Sequence, residues 1–382
     1  RRRPHPRARL VMLAEARTQP IQPIERVRVG AFEIPTDTPE ADGTLEWDAT
    51  TLVVVELSAG AHTGVGYTYA DAGVGRLIVD RLEPLLREQD GFAIGALWAR
   101  MFARLRNLGQ QGASAMAVSA VDVALWDLKA RQLGVPLVSL LGAVRPAIPV
   151  YGSGGFTSYS EQQLREQFRG WAELGIERFK MKVGREPARD EQRVRVARAE
   201  IGAGAELYVD ANSAYTRREA RLYAELFADG FDVCWLEEPL PPEDLDGLRF
   251  LRGQVPAKLE IAEGEYGYDL DYFRRLLEAD AADVVMPDLT RCGGITGFMH
   301  VASLCAARRV PLSSHCAPAL HVHVGCAVAG LRHAEYFHDH ARIERLLFDG
   351  AAEPEHGVLQ PNLGEAGLGL EFKWQDAERY AV

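Results

Sequence analysis

From residue 148 to residue 337 the sequence keeps one rhythm, and that rhythm limits the possible folds more than any other feature. Short strand-like stretches recur: IPVYGSGG (148–155), RFKMKV (178–183), ELYVDAN (206–212), VCWLEEP (233–239), LEIAEGE (259–265), DVVMPDL (283–289), VPLSSH (310–315) and AEYF (334–337). Amphipathic helical patterns such as DEQRVRVARAEI and YFRRLLEADA fill the gaps between them. Strands separated by helices pair parallel, because a parallel neighbour needs a long crossover. Eight such units predict an α/β fold, a (β/α)7-8 TIM-type barrel, somewhat smaller than the usual size of about 250 residues.

A polar residue falls at the same place in each unit. Lys180 and Lys182 end the second stretch, Asp210 the third, Glu237 the fourth and Glu265 the fifth; Asp288 ends the sixth, His315 the seventh, and Glu335 lies in the eighth. From Lys182 onward the steps are 28, 27, 28, 23, 27 and 20 residues, each close to one βα unit. In a barrel these ends converge on the C-terminal mouth, where the fold places its chemistry. A single acidic residue after a strand is ordinarily a helix cap or loop solvation. A whole set in register is a site.

Lys180 and Lys182, in FKMKVG (179–184), are two apart on a strand and project into one space, where they need something negative to face. Asp210, Glu237 and Glu265 come from three adjacent strands, and three crowded carboxylates repel unless a cation holds them. Oxygen ligands without His or Cys favour Mg2+, with Mn2+ as the alternative, over zinc. Glu238 competes with Glu237, but strand alternation turns only one of the two inward, and Glu237 is taken. Asp288 on the strand next to His315 fixes the imidazole tautomer and leaves its other nitrogen as acid or base. The remaining histidines read as structural. His321 and His323 are two apart on a helix and cannot share a face, and His338 and His340 read as surface residues of a loop. Cys316 reads as a small packing residue.

The flanks read differently. Residues 24–146 show an α+β pattern, with strands IERVRVGAFEI, TLVVVEL and GVGYTY followed by helices, the longest being SAMAVSAVDVALWDLKARQLG. This predicts a capping domain (24–146) before the barrel (147–357), with residues 358–382 breaking the rhythm and returning to complete the cap. The basic stretch 1–23 predicts a disordered arm, since Leu10 to Leu13 is too short an apolar run for a signal sequence. No run approaches the roughly 20 apolar residues of a membrane helix. A net charge of −11 argues against nucleic acid and anionic membranes as partners. Five cysteines without a C-x-x-C pair predict a reduced, cytoplasmic protein.

In combination KxK, VDAN, LEEP, AEGE, MPD followed by GG, and SSH resemble the enolase superfamily, and the lysine pair with the His–Asp pair resembles its mandelate racemase subgroup. AVSAVDVALWDLKARQLGVPLVSLLG (117–142) is similar to the segment that leads into these barrels. The resemblance implies Mg2+ on Asp210, Glu237 and Glu265, coordinating a substrate carboxylate. It implies Lys182 as one acid/base and His315, oriented by Asp288, as the other on the opposite face. Lys180 then neutralises the carboxylate and Glu335 hydrogen-bonds it. A lysine base must be partly neutral near pH 7, which a second lysine beside Mg2+ favours. Cap loops near 35–48 and 67–73 are implied to close over the mouth, with Trp47 and Tyr67 facing substrate and Asn212 beside them. The implied activity is removal of the proton α to a carboxylate, as in dehydration of a sugar acid to a 2-keto-3-deoxy acid. The runner-up is racemisation or epimerisation of a 2-hydroxy acid. Cycloisomerisation of a muconate-type acid suits a His–Asp pair less well. A non-catalytic Mg2+/carboxylate-binding protein is the reading of another class, which a lost base or ligand would favour. The family's habit of forming dimers or octamers implies a homo-oligomer.

Overall fold

Alternation along the first strands decides how the cap sits. β1 (Arg26–Ala41), β2 (Glu46–Ala59) and β3 (His62–Tyr69) form an antiparallel sheet in that order in the computed structural model, which describes residues 22–382. On β2, Val53, Val55 and Leu57 pack against the helices Ile94–Leu105 and Ala113–Leu133, while Leu52 and Val54 join the core shared with the barrel. Both faces are therefore covered, which is why TLVVVEL reads as a continuous apolar run. The long helix sits directly on β3, because a Cβ at Gly66 would lie 2.2 Å from the carbonyl oxygen of Ala120. The predicted arm lies, apart from Gln22 and Pro23, outside the described residues.

The barrel strands are β4 (Ile148–Gly154), β5 (Arg178–Lys182), β6 (Glu206–Asp210), β7 (Val233–Glu237), β8 (Glu260–Glu263), β9 (Val284–Val285) and β10 (Ala334–Phe337). They run parallel in the order β10-β4-β5-β6-β7-β8-β9. Helices cross between them, and two begin with complete capping boxes, Ser160 with Gln163 and Thr216 with Glu219. The barrel with its α+β cap is thus the fold anticipated, with two strands reduced. Stretch 283–289 yields only Val284–Val285. Stretch 310–315 yields no strand, only Leu312 bridging Val285 on one side and Leu331 on the other. Pro287 and Pro311 donate no N–H to a ladder, so pairing stops at each.

The tail serves both units. Val358–Leu359 pairs antiparallel with β4. Beyond it Phe372 and Trp374 pack on Phe32 of β1, and the amide of Val382 donates to the carbonyl of Ala31 at 3.1 Å. No helix among the described residues is long and apolar enough to cross a membrane.

Candidate active site

Parallel register assembles the centre. Lys182 is the strand partner of Asp210, and Asp210 that of Glu237, so the three side chains meet at the mouth. Lys182 Nζ lies 2.5 Å from Asp210 Oδ2. Lys180 Nζ is 2.6 Å from Glu335 Oε1, 3.6 Å from Asp210 Oδ2, and paired with Glu237 Oε1. The other Glu237 oxygen accepts from Trp235 Nε1 at 2.8 Å. Glu265 lies two residues past the end of β8 rather than in the strand, yet its carboxylate meets those of Asp210 and Glu237, with ligand oxygens within 4.8 Å of one another. All three are buried.

The imidazole meets the triad at Glu265. His315 Nδ1 is 2.8 Å from Asp288 Oδ2, and Nε2 is 3.2 Å from Glu265 Oε2 and 3.9 Å from Glu335 Oε2. Asp288 is fixed in turn by the amide of Thr290 at 2.7 Å. Arg291 Nε lies 3.6 Å from Asp288 Oδ2, and its Nη1 lies 3.3 Å from Glu265 Oε1. The structure therefore brings Lys180, Lys182, Asp210, Glu237, Glu265, Asp288, His315 and Glu335 into one buried cluster.

Negative charge dominates it. Burial, reinforced by Asp210 and Glu335 and opposed by Lys180, pushes the Glu237 carboxyl up to about 8. Glu238 and Glu263 are pushed well above the carboxylate range by burial and by their acidic neighbours. Neither has a hydrogen-bond partner on either oxygen. Three buried carboxylates within 4.8 Å of one another, with two donor-less carboxylates beside them, make an all-oxygen set that fits a hard divalent cation.

Burial draws the Asp288 carboxyl upward, but its bond to His315 together with the charges of His315 and Arg291 outweighs this and leaves it at about 2. His315 is raised well above its ordinary value although burial opposes it, because Cys316, Glu265 and Glu335, and the Asp288 bond, favour the imidazolium. The lowered Lys182 anticipated from the sequence is not what the residues give by themselves. Burial and Lys180 lower it, but the carboxylates of Asp210, Glu265 and Glu237 together outweigh them, so the ammonium is held above its ordinary range. A cation competing for Asp210 is what would relax that hold.

The tip of the β1–β2 hairpin covers the β4–β6 side of the mouth. The amide of Thr157 donates to the carbonyl of Ala41 at 2.7 Å, and Arg185 reaches the carbonyl of Leu45 at 3.1 Å. Trp47, half-buried, donates to Glu40 at 3.0 Å and packs edge-on to Phe156, in a cluster with Tyr159, Phe337 and Cys316. It therefore stands beside the site. Asn212 also stands there, its amide donating to Asp210 Oδ1 at 2.9 Å and its own Oδ1 buried without a partner.

Tyr67 does not face substrate. It is fully buried, its hydroxyl donates to Glu344 at 2.6 Å, and its ring packs on Phe348, which makes it part of the joint between cap and barrel. His340 is likewise corrected. It lies on the helix His338–Leu347, buried and stacked on Tyr69 at 3.4 Å, because the second cap loop covers that face. Cys316 is more than packing, since its Sγ lies 3.2 Å from His315 Nε2. Arg291 went unremarked in the sequence, although its place three residues after Asp288 was a signal. Glu40, buried with one unpartnered oxygen, gave none.

The description "Enolase C-terminal domain-like" matches residues 163–377, and "Mandelate racemase / muconate lactonizing enzyme, N-terminal domain" matches residues 34–142. The chain belongs to the mandelate racemase/muconate lactonizing enzyme family of the enolase superfamily. Within this family it is 34% identical over 361 residues to the 3,6-anhydro-α-L-galactonate cycloisomerase of Streptomyces coelicolor, covering 92% of this chain and 98% of that one. It superposes on a mandelate racemase/muconate lactonizing enzyme-like protein of Rubrobacter xylanophilus with a TM-score of 0.92 and 51% identity, covering 94% and 100% of the two chains. An L-talarate dehydratase of Polaromonas sp. JS666, complexed with Mg and L-glucarate, superposes with a TM-score of 0.84 at 31% identity, covering 94% and 98%. Magnesium is thus the metal found in structures of this family.

Proposed function

We propose that this protein is an Mg2+-dependent enzyme that removes the proton α to the carboxylate of a sugar acid and then expels the β-hydroxyl, giving a 2-keto-3-deoxy acid. One observation carries the reading. Two acid/base groups, Lys182 Nζ and His315 Nε2, each contact a different carboxylate of one oxygen triad, at 2.5 Å from Asp210 and 3.2 Å from Glu265. Asp210, Glu237 and Glu265 would hold the metal, which when bound draws charge from the substrate carboxylate and so acidifies the α-proton.

The chain's own groups do the rest. Lys180 sets a buried ammonium against the carboxylate on which charge accumulates. Glu335, kept ionised by Lys180 and His315 and bonded by the Cys316 amide at 2.6 Å, fixes the Lys180 ammonium beside the same group. Lys182 takes the α-proton from one side. His315, kept protonated by its acidic neighbours and by Asp288, delivers a proton to the departing hydroxyl from the other. Trp47 and Asn212 line the substrate space beside them.

A second reading is favoured by the cycloisomerase relative, which matches nearly its whole length. The same proton transfers then open an anhydro ring or lactone instead of releasing water.

The test is incubation of the Mg2+-loaded protein with a panel of sugar acids and their lactone and anhydro forms in deuterated water, read by mass and NMR. Loss of water establishes dehydration, and ring opening with deuterium gained and no loss of water establishes cycloisomerisation. Deuterium at the α-carbon with a new diastereomer would make the enzyme an epimerase. No exchange with any acid at saturating Mg2+ would overturn the reading.

A further inference from the structure

We propose that His315, Cys316 and Glu335 form a second metal site, for a thiophilic dication such as Zn2+ or Cd2+, which shuts the active site when filled. One atom from each residue (an imidazole nitrogen, a thiol sulfur and a carboxylate oxygen) can be chosen so that all lie within 4.8 Å of one another. His315 Nε2 is 3.2 Å from Cys316 Sγ and 3.9 Å from Glu335 Oε2. Zinc bonds of about 2.0–2.3 Å place tetrahedral ligand atoms about 3.3–3.8 Å apart, so small side-chain movements bring all three to one ion. The three residues are 5%, 3% and 1% exposed, so coordination requires little further desolvation.

Two further observations point the same way. Asp288 binds His315 Nδ1, the arrangement that orients an imidazole and raises the basicity of its other nitrogen toward a metal. Neighbouring residues ordinarily direct their side chains apart. Here Cys316 and Ala317 have φ of +54° and +38°, and this left-handed turn folds the thiol back onto the imidazole of its own neighbour.

The two metal sites differ in chemistry. Asp210, Glu237 and Glu265 offer oxygen only and suit Mg2+, whereas a nitrogen, sulfur and oxygen set prefers Zn2+ or Cd2+. On coordination the Cys316 thiol and the His315 imidazolium each release one proton to solvent, a sulfur and an Nε2 lone pair form the metal bonds, and no electron is transferred. Nε2 then has no lone pair left for proton transfer. The binding stands on the geometry alone, while the shutdown rests on the acid/base role proposed for His315.

Protein saturated with Mg2+ is titrated with Cd2+, following the sulfur-to-cadmium charge-transfer absorption and the Cd2+ retained in dialysis. One Cd2+ per chain with a thiolate band is expected in the wild type and in Cys234→Ser, which removes the one thiol that is not fully buried. Cys316→Ser should lose both the band and that equivalent, and Glu237→Gln should keep both. Absence of the band in the wild type, or its survival in Cys316→Ser, overturns the site. α-Proton exchange should fall by about a hundredfold or more as the band saturates. A saturated band with undiminished exchange would leave the metal site standing and overturn His315 as the acid/base group.

Discussion

Lys182 shows how far a single residue's character is set by its neighbours. Its sequence spacing places it in the site, but its charge state follows from Asp210 at 2.5 Å, which holds the ammonium protonated. Lys182→Ala and His315→Asn should therefore each lower α-proton exchange by about 10²–10⁴-fold, the range for a positioned acid or base, while Mg2+ still raises the melting temperature of both. Glu237→Gln should behave in the opposite way: Mg2+ gives no thermal shift at concentrations that stabilise the wild type, as calorimetry will show. Equal loss of the thermal shift in all three variants would mean that the acid/base groups are themselves metal ligands. Placement in the cluster was legible where the βα period exposed it, as for Asp210, Glu237 and Glu335. It was not legible for Cys316, whose contact with His315 depends on two successive left-handed residues that no side-chain pattern announces.

At the scale of elements, amphipathic helices such as DEQRVRVARAEI and YFRRLLEADA and the hydrophobic strands were readable, whereas the shortening of the strands at Pro287 and Pro311 was not. Alternation shows that Tyr67 belongs to a strand face but not that Glu344 and Phe348 cover that face. Two element-level joints can be tested. At the β1–β2 tip, a Cβ on Gly43 would lie 2.3 Å from the carbonyl oxygen of Ala211, next to Asp210. Gly43→Val should lift the tip from the mouth and raise KM several-fold with little change in melting temperature; an unchanged KM would show that the tip plays no part in binding. The second joint is Asp122, which accepts from the Thr296 amide at 2.9 Å and its hydroxyl at 2.7 Å, tying the helix Ala113–Leu133 to Gly294–Arg308. Burial pushes its carboxyl up to about 7. The folded chain thus keeps a proton that the unfolded chain releases. This contribution to stability is complete below about pH 4 and is lost as pH rises through about 7. Asp122→Asn should remove that dependence, so its melting temperature gains on the wild type from pH 5 to pH 8. The upper bound of the gain over that range is about 3 kcal/mol. Parallel melting curves for the two proteins across that range would show that Asp122 does not titrate there.

Across the whole molecule, a site at the barrel mouth works only if the cap stays seated over it, and the sequence pattern indicated a returning tail without showing what it grips. The grip is aromatic. Phe372 lies with ring centroids 5.1 Å from Phe32 of the cap, 5.0 Å from Phe348 at the barrel's end and 4.9 Å from Trp374. Phe348 in turn packs 4.7 Å from Tyr67 of β3, so one stack joins tail, barrel and cap. Phe372→Ala removes its centre and should cost about 3 kcal/mol, at the lower end for a buried phenylalanine because the tail can partly collapse into the gap. Seating of the cap is coupled to that stack, while the proton-transfer groups lie on barrel elements. KM for the acid substrate should therefore rise, with kcat and the Mg2+-induced thermal shift nearly unchanged. Steady-state kinetics beside thermal melts separate the alternatives. A lower melting temperature with an unaltered KM would make the tail a clamp for stability alone. A fall in kcat with KM constant would mean that the stack also sets the positions of Lys182 and His315.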